Sequence, residues 1–292
     1  MKKFLIFLFA VIFLAMIAGA GMVGWKLYEK YSEGEERADL YDYYNLTDAG
    51  QGAIMFDGEI LEETCKIMND TCYLELSVVQ KYLHNRFYYS DYNQEIRYTD
   101  ADAIVTAPLG GGSYSVLTIE SESFYEESYT IALAIDDICY IALDFVEKFV
   151  PVDHALFDKP GRVVIHTQGL GRNLVEISKD TVVRWRAGVK SEILTDVKIG
   201  DKVHVLDKIG VEDWTKVATD NGFVGYIRNS KLGEESYEAG AVTLAYKEPE
   251  FKSTLLDEKI RLGFHAVYNT AANDNLEEVL ETAFNINVIS PT

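Results

Sequence analysis

The spacing of apolar and polar side chains divides this chain into four segments. Residues 4–25 carry no charge, as in a long apolar helix. Residues 36–170 mix short strand patterns with helix patterns, whereas residues 172–235 contain short strand patterns separated by turn residues. Residues 259–292 return to a strand, a helix and a strand. The pattern therefore predicts a multi-domain chain.

The uncharged segment favours a membrane anchor. As a helix, residues 4–25 would span ~30 Å of hydrocarbon, and Lys2 and Lys3 precede them. A cleaved signal peptide has a shorter apolar core, although the small-residue sequence that ends at Ala20 offers a cleavage site. We expect residues 1–35 to hold the chain in the cell membrane as a single-pass protein whose bulk is extracellular. Secretion after signal cleavage is the alternative.

Residues 36–170 contain an internal repeat. Residues 73–83 align without a gap with residues 140–150, so that Tyr73 falls on Tyr140. Each copy has the pattern of a short strand, a helix and a hairpin. Two copies at this spacing are too few for a solenoid. The segment is predicted to be an internally duplicated α+β domain.

The next segment reads as a small barrel. Turn residues such as Gly200-Asp201 separate its strand patterns. The five patterns lie at 181–185, 191–194, 202–206, 215–218 and 222–227. We expect an all-β barrel over residues 172–235, followed by an acidic linker at 236–258.

The last segment is expected to begin a larger fold. Residues 260–267 are mostly apolar, as in a strand buried on both faces. Apolar residues then recur at helical spacing, and residues 286–289 form a second strand pattern. A (β/α)8 barrel needs ~250 residues. Residues 259–292 are therefore predicted to be the first βαβ unit of an incomplete barrel, in a chain that continues beyond Thr292.

Charge limits the partners. The 27 basic and 47 acidic side chains give a formal net charge of −20. This argues against nucleic acid and anionic lipid, because both repel an acidic surface. Neutral and cationic glycans remain compatible with it.

Cysteines and histidines predict no cofactor and no metal. Cys65 and Cys72 are close enough in sequence to close a small loop by a disulfide outside the cell. Cys139 lies in an apolar strand pattern and reads as a buried thiol. The five histidines are scattered without the spacing of a zinc site, at His84, His154, His166, His204 and His265.

The end of the chain resembles the start of the catalytic barrel of bacterial glycoside hydrolase family 18 proteins, which include chitinases and peptidoglycan glucosaminidases. The resemblance rests on the ordered strings LGFH, NDNLEEVL and INVISPT within residues 259–292. It implies that Phe264 and His265 line a sugar cleft. The family's catalytic signature, D-x-x-D-x-D-x-E, is absent: a similar start at Asp39 departs from it at Tyr44. We therefore assign no catalytic residue.

Two further resemblances concern the middle of the chain. The repeated pattern Y-(L/I)-x-L-x-x-V-x-K resembles the copper amine oxidase N-terminal-like domain, which implies a stalk without copper ligands. Residues 172–235 resemble the bacterial SH3-like domain, whose framework is matched by Gly222 and Gly225. This resemblance implies a groove for a cell-wall glycan or peptide. Its candidate residues are Trp185, Trp214 and Tyr226; the alternative is that these side chains belong to the core or its rim.

These resemblances lead to two functional hypotheses. The first is the non-catalytic amino-terminal region of a membrane-tethered, exported family 18 protein that acts on N-acetylglucosamine-containing polymers. The second is a stand-alone protein that binds or organises the cell envelope without enzymatic activity.

Overall fold

A computed structural model of the chain describes residues 2–244, 257–269, 275–283 and 285–291, with side chains throughout except at 2–12, 31, 208–210 and 291. Helices are few in this part of the chain. They are α1 (Lys2–Tyr31), α2 (Leu40–Tyr44), α3 (Leu76–Val78, continued by a π-helical turn at Val79–Leu83), α4 (Leu143–Val146) and α5 (Leu276–Thr282), with a 3-10 turn at Asn229–Lys231.

Most of the described residues that form regular structure lie in β-strands. In the first half of the chain these are β1 (Gln51–Phe56), β2 (Glu59–Met68), β3 (Thr71–Glu75), β4 (Phe87–Ser90), β5 (Glu95–Thr99), β6 (Ala103–Pro108), β7 (Ser113–Thr118), β8 (Glu122–Glu126), β9 (Ala132–Ile135) and β10 (Ile138–Ala142). In the second half they are β11 (Val152–Phe157), β12 (Arg162–Thr167), β13 (Arg172–Ile177), β14 (Thr181–Arg184), β15 (Ile193–Val197), β16 (Lys202–Val211), β17 (Trp214–Ala218), β18 (Val224–Arg228), β19 (Leu232–Glu238), β20 (Leu262–His265) and β21 (Val288–Pro291).

The first sheet is mixed. Its seven strands lie in the order β11-β12-β1-β2-β3-β10-β9. Strand β1 pairs with β12 in parallel and with β2 in antiparallel. The turn between β1 and β2 is Asp57-Gly58, with positive φ at both residues, as a tight two-residue hairpin turn requires.

The repeat divides between two sheets. Each copy has a strand, a short helix and a hairpin in that order: β3, α3 and β4–β5 in the first, and β10, α4 and β11–β12 in the second. The strands β3 and β10 pair with each other in the first sheet, which also contains the second hairpin. The first hairpin instead begins a five-stranded antiparallel sheet, β4 to β8. The repeated sequence therefore does not form two identical halves of one sheet.

A second seven-stranded sheet is wholly antiparallel, in the order β15-β14-β18-β17-β16-β13-β19. The five predicted strand patterns correspond to β14–β18. The sequence pattern missed β13 and β19, which pair with each other. Strand β19 lies at the edge of the sheet, where its polar, acidic sequence faces solvent.

Two large apolar cores lie under these sheets, and a small third cluster contains Met55 and Val164 of the first sheet with Ala218 of the second. The larger core contains buried residues of the first sheet, the five-stranded sheet, α3 and α4. The second core lies under the second sheet and includes Tyr44 and Leu46 from the segment around α2, together with Ala53 from β1. The segment before β2 therefore contributes to both cores, and residues 1–248 form one compact unit.

Residues 249–292 form a separate unit. Strands β20 and β21 pair in parallel, with Leu262 opposite Val288, and α5 lies between them in the chain. Phe264 is 73% exposed, so β20 is not the strand buried on both faces that the sequence predicted. Asn273 and Asp274, residue types that commonly cap a helix, precede α5 in the sequence and lie outside the described residues.

The predicted membrane anchor is wrong. Helix α1 covers the uncharged segment, but no helix in the described part of the chain is long and apolar enough to cross a membrane. The predicted membrane contact through residues 4–25 and the single-pass location are corrected with it.

The predicted fold class is also wrong. The described residues form a mostly-β protein with several sheets. They contain neither a membrane-spanning helix nor a (β/α)8 barrel, because residues 259–292 contribute only a two-stranded sheet and one short helix. The α-helices of the two repeat copies, α3 and α4, are only three and four residues long. Strands therefore dominate where an α+β domain was expected.

A candidate binding groove

An open groove lies between the turn at Asp57-Gly58 and the second sheet. Its volume is about 700 Å³. Three aromatic residues from distant parts of the chain line it, namely Tyr43, Trp185 and Tyr226, with Asp57, Gly58, Glu59, Ile60, Arg186, Leu206, Lys216 and Val224 around them. We refer to this site as the aromatic groove.

Tyr43 reaches the groove from α2. The carboxylate of Asp39 accepts a hydrogen bond from the backbone N–H of Tyr41 and caps the helix. The hydroxyl of Tyr43 donates to the carbonyl of Val224 at 2.7 Å and accepts from the N–H of Val224 at 2.8 Å. Burial raises the pKa of Tyr43. The side chain is thus fixed as a neutral phenol at the beginning of β18.

Trp185 and Tyr226 complete the aromatic surface. Trp185 follows β14 directly, and its ring lies 5.5 Å from the ring of Tyr43 in an edge-to-face arrangement. Tyr226 lies on β18 and pairs with Lys216 of β17. The β14–β18 ladder has one pair, between Arg184 and Tyr226. Tyr43, Trp185 and Tyr226 are all half-buried, so each ring is partly accessible from the groove.

The charges of the groove are balanced. Arg186 and Lys216 contribute cations, and Asp57 and Glu59 contribute carboxylates. Both oxygens of Asp57 already accept hydrogen bonds, from the N–H of Thr167 at 2.8 Å and from its hydroxyl at 2.6 Å. Asp57 therefore holds the β1–β2 turn against β12.

A cluster of titratable side chains borders the groove on the other side of Asp57. The rings of His166 and His204 stack at 5.5 Å, although they come from different sheets. The Nε2 atom of His204 lies 2.9 Å from Asp220 and 3.3 Å from Arg172. We refer to Asp57, His166, Arg172, His204 and Asp220 as the seam cluster.

Electrostatics within the seam cluster favours a neutral His166. Burial lowers the pKa of His166, and the nearby Arg172 and His204 lower it further. The hydrogen bond with His204 lowers the pKa of Asp220. Two small cavities of about 220 and 140 Å³ lie beside His166 and Arg172. In the described part of the chain, no set of three or more histidine, cysteine or carboxylate side chains is arranged to hold a metal ion.

The structure brings together two of the three aromatic residues predicted for the groove. Trp185 and Tyr226 line it. Trp214 does not line the groove, and it is only 9% exposed. On β17 and β18 the Trp214–Arg228 pair lies two residues away from the Lys216–Tyr226 pair. The guanidinium of Arg228 lies 5.9 Å from the centre of the Trp214 ring. Its position is that of a buried framework residue.

The other predicted site residues are dispersed. Phe264 and His265 are consecutive in β20, so their side chains point to opposite faces of a two-stranded sheet. Cys65 and Cys72 are buried free thiols on the neighbouring strands β2 and β3. A hydrogen bond with Cys65, and then burial, raise the pKa of Cys72.

Tyr43 is the groove residue that the sequence did not reveal. It lies far from Trp185 and Tyr226 in the chain, within a segment assigned to another domain. The sequence offered only local information: Asp39 is a residue type that caps helices, and a pair of tyrosines ends the short helix that follows it. Tyr44 anchors the same helix through its hydroxyl, which donates to the carbonyl of Gly222 at 2.7 Å.

Comparison with known proteins found no family model, no curated protein and no solved structure that matches this chain.

Proposed function

We propose that this protein binds N-acetylglucosamine-containing polymers of the cell envelope in the aromatic groove and performs no chemistry on them. The observation that supports this proposal best is the meeting of Tyr43, Trp185 and Tyr226 in one open groove of about 700 Å³. Aromatic faces pack against the apolar faces of sugar rings, while polar neighbours bind the hydroxyl and acetamido groups.

Charge favours a neutral polymer. The groove offers Lys216 and Arg186 on one side and Asp57 and Glu59 on the other, so it has no strong preference for an anion or a cation. The formal net charge of −20 disfavours nucleic acid and other polyanions. A neutral glycan satisfies both conditions.

The choice of amino sugar rests on the sequence resemblance of residues 259–292 to family 18 proteins. The non-catalytic role rests on the groove itself. Two carboxylates line the groove, those of Asp57 and Glu59. The Asp57 carboxylate accepts hydrogen bonds from Thr167 and has a structural role, so Glu59 remains as the one candidate acid among the lining residues. Glycosidases ordinarily use two acidic groups, although substrate-assisted enzymes are an exception.

Isothermal titration of the full chain with short, soluble N-acetylglucosamine oligomers tests the proposal. Trp185→Ala and Tyr226→Ala are each expected to weaken binding by about tenfold or more, which corresponds to ~1.4 kcal/mol. Tyr41→Ala is the matched control, since Tyr41 lies on the same short helix as Tyr43 but does not line the groove. It should bind as the unaltered chain does.

Two results would overturn this assignment. One is equal affinity in Trp185→Ala, Tyr226→Ala and the unaltered chain, which would place the ligand elsewhere. The other is binding of peptidoglycan stem peptides, but not of the sugar oligomers, in a manner that depends on Trp185. In that case the groove would be a peptide site.

A further inference from the structure

The five-stranded sheet has one face that packs on the core and one that does not. Tyr98 and Val105 point inward and are buried. On the opposite face, one residue from each strand lies in register across the whole sheet. In strand order these are Tyr88, Arg97, Thr106, Ser115 and Phe124, which we call the sheet-face row.

Aromatic rings lie at both ends of the row. Phe124 on β8 is 76% exposed and Tyr88 on β4 is 39% exposed. With strands ~4.8 Å apart, the two ends are separated by about 19 Å. The hydroxyls of Thr106 and Ser115 lie between them. The row thus combines stacking surfaces with hydrogen-bonding groups over the length of several sugar rings.

Arg97 is fixed within the row. Its Nε atom donates to Glu95 at 2.6 Å. A hydrogen bond with Tyr88, and then Glu95, raise the pKa of Arg97. Because Glu95 neutralises the charge of Arg97, the row offers no unpaired cation to which a polyanion could bind. Glu122 and Glu126 on β8 add exposed negative charge at the edge.

These charges decide among the occupants of the face. A polyanion is repelled by the edge glutamates and by the net charge of −20. A second copy of the same face would bring its own Glu122 and Glu126 against those of the first, and like charges on paired edges oppose association. A neutral or amine-bearing polymer meets no such repulsion.

We propose that the sheet-face row is a second polysaccharide site, which takes an extended amino-sugar polymer lying across the strands. The polymer stacks on Tyr88 and Phe124 and hydrogen-bonds to Thr106 and Ser115. Free amines of a partly deacetylated polymer pair with Glu122. The site is formed by other residues than the aromatic groove, and its choice of an amino-sugar polymer rests on the proposed function.

Co-sedimentation of the full chain with an insoluble N-acetylglucosamine polymer, and with the same polymer partly deacetylated, tests this site. All measurements use Trp185→Ala as background, so that the contribution of the groove is reduced. Residual binding is expected, and adding Phe124→Ala should weaken it by about tenfold. Ile119→Ala is the matched control, because Ile119 is 97% exposed in the turn before β8 and lies outside the row. It should leave binding unchanged.

The two polymers distinguish the role of charge. Glu122→Gln should reduce the preference for the deacetylated polymer and leave binding of the acetylated one unaltered. Thermal unfolding of each variant should match that of the background, since Phe124 and Glu122 are exposed.

The proposal fails if Trp185→Ala abolishes all polymer binding, or if Phe124→Ala and Tyr88→Ala leave the residual binding intact. It also fails if an extended peptide, and not the polymer, protects the amides of β8 from hydrogen exchange, since the edge would then serve strand addition. Unchanged binding of short oligomers by Trp185→Ala would refute the groove, whereas the row is tested by Phe124→Ala and Tyr88→Ala.

Discussion

Leu74 and Ile141 lie directly opposite each other in the antiparallel ladder between β3 and β10. They also occupy the same position in the two copies of the repeat, because Tyr73 aligns with Tyr140. The copies therefore meet about an approximate two-fold axis that passes between equivalent residues. Both side chains are completely buried in the larger core.

Truncation at either residue should destabilise the protein by a similar amount. Leu74→Ala and Ile141→Ala each remove a buried aliphatic side chain from the larger core, so each is expected to cost ~2–5 kcal/mol. The double variant should cost less than the sum, since the two deletions share one space. Urea unfolding of the three variants measures these free energies.

Ile199→Ala is the control for that series, because Ile199 is exposed in a turn of the second sheet. Its free energy of unfolding should change by less than ~0.5 kcal/mol. Strictly additive costs at positions 74 and 141 would show that the two side chains do not share a packing environment.

The hydroxyl of Tyr43 is expected to support β18. Tyr43→Phe keeps the ring but removes the group that bonds both the N–H and the carbonyl of Val224. Leaving these partners unsatisfied should lower the free energy of unfolding by ~1–3 kcal/mol. Chemical denaturation checks this, with Tyr41→Phe as the exposed counterpart. Equal stability of both variants would contradict the structural role of the hydroxyl.

The seam cluster should make stability fall at acid pH. The folded pKa of His166 is lowered by burial, and then by Arg172 and His204, so below the ordinary pKa of ~6.5 the unfolded chain binds more protons. The contribution is complete above that pH and is lost as the pH falls toward the folded pKa. His166→Asn should therefore flatten this part of the profile of urea midpoint against pH.

His154 supplies a control of opposite sign. Burial lowers its pKa, but the hydrogen bond with Glu147 at 2.6 Å and nearby acidic charges outweigh burial and raise it. Its stabilising contribution is present below pH ~6.5 and is lost as the pH rises through the folded pKa. His154→Asn should make the acid-side loss steeper. A variant at position 166 that steepens the profile would refute the assignment.

The two buried thiols should be unreactive in the folded protein. Cys65 and Cys72 are inaccessible, and the pKa of Cys72 is raised by the hydrogen bond with Cys65 and by burial. Since the thiolate is the reactive form, a thiol reagent should modify both only after denaturation. Burial also raises the pKa of half-buried Cys139, to about 11. Rapid labelling of Cys72 in the native state would contradict these positions, whereas recovery of a Cys65–Cys72 disulfide would restore the prediction made from their spacing.

Local patterns predicted strands more reliably than they predicted the sheets that contain them. The short strands from β14 to β18 have clear alternation and turn residues, and they occur where the pattern indicates. The end of β19, from residue 236, was assigned to the linker because it is polar and acidic; its backbone nevertheless pairs with β13. Edge strands of this kind contain few apolar residues, since they pair with one strand only and contribute little to the core.

The groove was only partly predictable for a related reason. Alternation places Trp214, Lys216 and Tyr226 on paired strands, but it does not show that Arg228 covers Trp214. Tyr43 comes from a segment more than a hundred residues away in the chain, and no local pattern reports such a contact. The net charge, by contrast, follows from the sequence alone, and it disfavours polyanionic partners whatever the fold.

The position of β1 determines the order in which this protein can be completed during synthesis. Strand β1 is made early, yet its parallel partner β12 begins only at Arg162. One edge of β1, next to the buried residues Ile54 and Met55, therefore waits without its hydrogen-bond partner while more than a hundred residues leave the ribosome. An apolar strand with an open edge is prone to pair with other chains. Slow or interrupted translation before β12 should thus favour aggregation.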